Sequence, residues 1–243
     1  MSKDMDKDSY PGFYTTTSML QLGHGIWANL STIAIGLAFG FPSIQTPQLS
    51  SDSSDIKVTT EEVSWLASIL TLFSPLGCIL TGILMDRYGR SVMLQCCTLP
   101  MFVGWIYTVS SETALHMIIA RAVLGFGCGM AMGPSRIFTS EISLPNMRGL
   151  LGALPNMFMS FGMTVQAALS LFYSWPDLCY ISGVFNMALF GSYIFLPETP
   201  YFLLLQDNTG KARKALAKVR DKHYDIDAEI NDLIEFKQEN NIP

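Results

Sequence analysis

The strongest constraint in this chain is the spacing of its charges. No Asp, Glu, Lys or Arg occurs between Asp8 and Asp52, between Glu62 and Asp86, between Arg90 and Glu112, between Arg148 and Asp177, or between Asp177 and Glu198. Each gap runs to about twenty residues or more, and ~20 apolar residues rising 1.5 Å each cross a hydrocarbon core of ~30 Å. Charged residues make up 14% of the chain and apolar residues 49%, whereas an ordinary soluble domain carries about 25% charge. The pattern argues against a soluble globule, a disordered chain and a disulfide scaffold. It predicts an all-α membrane protein, because a backbone in lipid must satisfy its own hydrogen bonds.

Six spans follow, at about 22–44, 63–85, 92–110, 114–140, 149–173 and 178–196. The second opens on Thr59-Thr60-Glu61-Glu62, the spacing of a capping box with Thr59 as cap. Residues 1–21 read as a cytoplasmic tail, since the first apolar run is too long and too late for a secretory signal. After Pro197 the composition turns polar. Ala212, Ala215, Leu216 and Val219 share one helical face, and Ile226, Ile230 and Leu233 share another within 225–239. These predict short amphipathic helices across a cytoplasmic segment, 197–243.

Basic residues set the orientation. With the N-terminus inside, twelve Lys and Arg fall on the cytoplasmic side and Lys57 alone outside, while Arg121 and Arg136 lie within the fourth span. The prediction is a multi-pass protein, in the plasma membrane, with both termini cytoplasmic. The five cysteines, at 78, 96, 97, 128 and 179, show no C-x-x-C spacing and read as small apolar core residues. No basic nucleic-acid face, metal-ligand cluster or cofactor motif is evident. Gly125, Gly127, Gly129 and Gly133 do not spell a phosphate loop, and their four-residue spacing suits close helix contact instead. Ser135 follows Gly133-Pro134, but no His lies plausibly opposite it. A nucleophile needs a base within bonding reach, so the chain reads as a non-enzyme.

Between spans two and three lies Gly82-Ile83-Leu84-Met85-Asp86-Arg87-Tyr88-Gly89-Arg90. Gly82 would let a neighbouring helix approach, Gly89 would permit a tight turn, and Asp86 would favour the positive end of the next helix. This run resembles the major facilitator signature G-x-x-x-D-R-x-G-R-R, with Ser91 in place of the last Arg. Arg121-Ala-Val-Leu-Gly125-Phe-Gly127-Cys-Gly129, then Glu141, then Arg148-Gly149-Leu-Leu-Gly152, resembles the sugar-porter pattern. Pro197-Glu198-Thr199-Pro200-Tyr201-Phe202-Leu203-Leu204 resembles that family's P-E-S-P-R-W-L-L. Thr60-Glu61-Glu62-Val63-Ser64-Trp65, Leu154-Pro155-Asn156 and Ala212-Arg213-Lys214-Ala215-Leu216 are similar to the insect facilitated trehalose transporters within it.

The resemblance implies one six-helix half of a two-half carrier, with a substrate site at the midplane between halves. It implies a gating network of ion pairs drawn from Asp86, Arg87, Arg90, Arg121, Glu141, Arg148 and Glu198, closing the inner side. Sugar recognition needs amides, hydroxyls and aromatic faces, which Asn29 and Phe39 in span one and Asn156, Ser160, Thr164 and Gln166 in span five offer. Where many sugar porters place a Gln after R-G-x-L-G-x-L-x, this chain has Asn156. Where proton-coupled relatives carry an Asp after Phe-Gly in span one, this chain reads Phe39-Gly40-Phe41-Pro42, with no carboxylate in the span. The expected function is facilitated diffusion of trehalose or a hexose by alternating access. The expected partners are the lipid bilayer, a sugar, and a second six-span half or another copy of the chain. The alternative is a transport-inactive half that modulates a full-length porter, and either way the chain reads as a fragment or truncated form.

Overall fold

The computed structural model describes residues 15–49, 56–206, 208–220, 226–228, 230–231 and 234. All regular structure among them is helical. The helices are α1 (Thr16–Gly40), α2 (Pro42–Leu49), α3 (Thr60–Tyr88), α4 (Arg90–Val109), α5 (Ala114–Ile142), α6 (Arg148–Leu169), α7 (Trp175–Tyr193), α8 (Pro200–Leu205) and α9 (Thr209–Val219). Thr15 caps α1, and the Thr59–Glu62 capping box of α3 has both arms in place. The expected first span is interrupted at Phe41, after which Pro42 starts α2; the fixed φ of proline suits a first helical position.

Four segments are long and apolar enough to cross a membrane among the described residues: Thr16–Leu49, Thr60–Tyr88, Arg90–Val109 and Ala114–Ile142. The fifth and sixth expected spans correspond to α6 and α7, which have 22 and 19 residues. Both are long enough but less apolar. Asn156, Ser160, Thr164 and Gln166 dilute α6, and Asp177, Ser182 and Asn186 dilute α7.

Helix α5 sits at the centre, packed against α3, α4 and α1; α1 also packs against α6, and α4 against α7. Glycines set the closest crossings. A Cβ on Gly125 or Gly129 would collide with the carbonyl of Leu70 or Ser74 on α3, and one on Gly77 with that of Phe126 on α5. Gly36 and Gly162 make the equivalent crossing of α1 and α6. The stripe ends there: an added Cβ at Gly133 or Gly82 meets nothing within 4 Å, so neither serves helix contact. Trp105, Phe41, Tyr193, Leu124 and Phe138 fill the core. Phe41 meets Trp105 edge-on at 5.1 Å, a favourable aromatic geometry.

Polar bonds tie the helices where the core is apolar. Asn29 Nδ2 donates to Thr139 Oγ1 at 2.7 Å, Trp27 Nε1 to Ser192 Oγ at 2.6 Å, and Ser31 N to Tyr193 Oη at 2.8 Å. Cys97, Cys128 and Cys179 are buried as expected of small apolar residues, but Cys78 and Cys96 lie on the bundle surface. A thiol facing lipid or another apolar surface satisfies the same composition.

Beyond the bundle, α8 and α9 fold against each other through Leu204, Ala212, Leu216 and Ile230. Ala212, Ala215, Leu216 and Val219 are all buried. Arg220 Nη1 donates to the Ile142 carbonyl at 3.0 Å, holding this layer to the end of α5. The expected helix over 225–239 falls largely outside the described residues, as do Asp225 and Leu233 and residues 1–14 of the tail.

Candidate functional site

Two polar groupings stand out, one at the α3–α4 turn and one on the outer face of α5 and α6. The first begins with Gly89, whose φ of 97° lies where residues with a Cβ are strained. That backbone starts α4 at once, leaving its first N–H groups without helical partners. Sequence reasoning assigned them to Asp86, but Asp86 points to solvent and reaches only Arg90 Nη1, at 3.7 Å. Glu198, 108 residues beyond Arg90, takes the role instead. It accepts from Arg90 N at 2.9 Å and from Ser91 N at 3.1 Å, while its own neighbour Thr199 N donates to it at 3.0 Å. The reason is steric as well as electrostatic: Gly89 lacks the Cβ that would strike the Glu198 carboxylate.

Arg90 then turns inward. Its Nη2 and Nε lie 2.8 and 2.9 Å from Glu141 Oε1 near the end of α5, and its guanidinium stands 5.2 Å over the Phe202 ring. Thr199 Oγ1 donates to the other Glu141 oxygen at 2.5 Å, and Ser91 Oγ donates to Pro197 O at 2.8 Å. The cluster joins α4, α5 and the start of α8. Its ion pair is mostly shielded from solvent, so breaking one partner leaves a costly buried charge. Arg87 and Arg148 are exposed and form no ion pair among the described residues; Arg87 lies over the Tyr88 ring. Thr199, Ser91 and Phe202 were not expected at this site. Their sequence signal is that each stands inside a motif, Ser91 at the last position of the first signature and Thr199 and Phe202 within Pro197–Leu204.

Arg121 stands apart from this cluster and is fully buried. Its Nε and Nη2 donate to Gln45 Oε1 at 3.3 and 2.9 Å, its Nη1 to Ala38 O at 3.5 Å, and its guanidinium lies 4.6 Å from the Phe41 ring centre. An amide oxygen, a carbonyl and an aromatic face therefore hold the charge, with no carboxylate among the described residues. Gln45 was missed because nothing local in Pro42-Ser43-Ile44-Gln45 announces a partner 76 residues away.

The second grouping is a polar stripe. Asn156, Ser160 and Thr164 follow one another at four-residue spacing on α6, and all are exposed. Thr164 Oγ1 donates to the Ser160 carbonyl at 3.0 Å. Arg136 on α5 is exposed too, and its Nη2 donates to Asn156 Oδ1 at 3.2 Å. The other proposed recognition residues are not on this face. Asn29 is buried between α1 and α5, Phe39 is half-buried against the core, and Gln166 is fully buried with neither amide atom hydrogen-bonded. The structure thus brings together Asn156, Ser160 and Thr164 and adds Arg136.

Residues 17–242 match the family model described as "Sugar (and other) transporter". The chain is 26% identical over 219 residues to the facilitated trehalose transporter Tret1 of Culex quinquefasciatus, covering 88% of this chain and 42% of that protein. It is 30% identical over 190 residues to the solute carrier family 2 facilitated glucose transporter member 8 of Bos taurus, covering 78% of this chain and 40% of that protein. Among solved structures it is similar in fold to the xylose transporter XylE from E. coli in a partially occluded inward open conformation. The TM-score is 0.74 at 16% identity, over 90% of this chain and 57% of that one. The chain spans less than half the length of these curated relatives. With the family model covering nearly its whole length, this chain belongs to the sugar transporter family of the major facilitator fold.

Proposed function

We propose that this chain forms one half of a sugar carrier, with the exposed stripe of α5 and α6 lining the substrate path. Helices α1 and α3–α7 cross the plasma membrane, and both termini and the α8–α9 layer are cytoplasmic. The single observation that carries this reading is the uncovered polar face itself. An arginine, an amide and two hydroxyls on spanning helices are expensive against lipid, so the face belongs against water, a sugar and an opposing half. Family membership supplies the class of cargo.

In this reading the Arg90–Glu141–Glu198 cluster closes the cytoplasmic side. A gate must break on each cycle, and it can do so only if the opposing half offers replacement partners in the other state. No carboxylate lies in the first span, so this half supplies no proton relay there and movement is passive. The test is uptake of labelled trehalose and glucose by liposomes carrying the chain together with an opposing six-span half, with and without a protonophore. Saturable uptake unaffected by the protonophore is expected; uptake that collapses with the pH gradient would end the passive reading.

A second reading rests on the same open face and on the chain's share of its relatives' length. Here the chain docks on another copy or on a full-length porter and modulates it without transporting. It expects no liposome uptake by the chain alone, but altered uptake or abundance of a coexpressed full-length porter.

A further inference from the structure

We infer that the α5–α6 face binds an anionic sugar, a sugar acid or sugar phosphate, through Arg136; this rests on the reading of that face as the substrate path. Arg136 lies six residues before the end of α5, about 9 Å at 1.5 Å per residue, on the side of the helix that meets Asn156 of α6. A guanidinium offers five donors in a planar fork matched to carboxylate and phosphate oxygens. Only one bond is in place, to the neutral Asn156 Oδ1 at 3.2 Å, and no carboxylate lies within 4 Å among the described residues. The nearest carboxylate on the same helix, Glu141, is taken by Arg90 and Thr199.

Gly133 lies one turn before Arg136 and Gly152 one turn before Asn156, and a Cβ added at either would meet nothing within 4 Å, so no neighbouring side chain covers this part of the face. Two buried arginines of this bundle differ from it, whereas Arg87 and Arg148 are exposed like Arg136 but stand at helix ends. Arg90 is neutralised by Glu141, and Arg121 is enclosed by Gln45, Ala38 and Phe41. Arg136 keeps an exposed charge with no carboxylate within 4 Å among the described residues, next to the neutral amide of Asn156. A neutral disaccharide makes no use of that charge. A ligand with hydroxyls and one oxyanion can use Arg136 together with the neighbouring Asn156 amide.

The test is isothermal titration of the chain, held in phosphatidylcholine nanodiscs, with D-glucuronate, D-glucose 6-phosphate and D-glucose. We expect at least one anionic sugar to bind about tenfold or more tightly than glucose, as a charge-assisted bond allows. Arg136→Gln should abolish that preference, and Arg136→Lys should retain part of it. Equal binding of all three sugars overturns this proposal and leaves the sugar-carrier reading intact. A preference that survives Arg136→Gln also overturns it, including the case in which lipid phosphate occupies the guanidinium. Binding of no sugar overturns both readings.

Discussion

Replacing Glu198 by Ala removes one carboxylate and strands three backbone donors: the amides of Arg90, Ser91 and Thr199. All three residues are buried. A buried donor left without a partner costs about 1–3 kcal/mol, and loss of a helix N-cap typically ~1 kcal/mol. Some of the vacated space will admit water, so the sum is discounted to about 2–4 kcal/mol. Glu198→Gln is the discriminating control. The Glu198 oxygen that accepts from Arg90 and Thr199 is a single atom, Oε1, and a glutamine carbonyl can replace it. What is lost is the negative charge at the start of α4, worth about 0.3–1 kcal/mol. In a chain of this size about 1 kcal/mol moves the melting midpoint by roughly 2–4 °C, so Ala should lower it by roughly 5–15 °C and Gln by only a few. The assay is thermal unfolding of detergent-purified protein followed by size-exclusion of the surviving monodisperse fraction. Equal shifts for the two variants would refute the argument, because they would show that charge and not the stranded amides dominates. A shift below about 2 °C for Ala would mean that the α4 start is satisfied by other groups.

Other outcomes follow from the same packing. Arg121→Leu should destabilise by about 1–3 kcal/mol because it strands Gln45 Oε1; adding Gln45→Leu should recover at least half, and a double variant no better than the single one refutes the pairing. Gly129→Ala forces α3 and α5 apart at Ser74 and should cost about 1–3 kcal/mol, whereas Gly133→Ala meets open space and should gain about 0.5–1 kcal/mol from helix propensity; melting midpoints that fail to separate the two would contradict the crossing geometry. Gly89→Ala should cost about 1–3 kcal/mol from its glycine-only backbone conformation alone, read in the same melting assay, and restoring the fit with Glu198→Ala in the same chain should not rescue it.

The comparison of the α3–α4 turn with the polar stripe explains what could be read in advance. Gly89, Arg90, Glu141 and Glu198 stand in motifs at short fixed spacings, so their importance was visible one residue at a time. Their pairing was not. Asp86 was the local choice for the α4 amides, but a residue at the end of a helix cannot easily fold back on the next one, and Glu198 arrives from the far end of the bundle. Gln166 was grouped with Asn156, Ser160 and Thr164 by type. It sits at a spacing that puts it on the opposite side of α6, against α1, where it is buried.

Order along the chain therefore determined the class of the molecule: charge-free runs of membrane length, punctuated by short loops carrying Arg, Glu and Gly, admit only helices in a layer too apolar for water. Those properties are additive over local windows and need no partner to be read. Which helix faces which, which of three arginines is paired, enclosed or left open, and which glycines touch a neighbour were decided by contacts far apart in the chain, with hydrogen bonds spanning as many as 165 positions. Such contacts depend on how side-chain volumes and helix crossings close in three dimensions, and no local spacing encodes that.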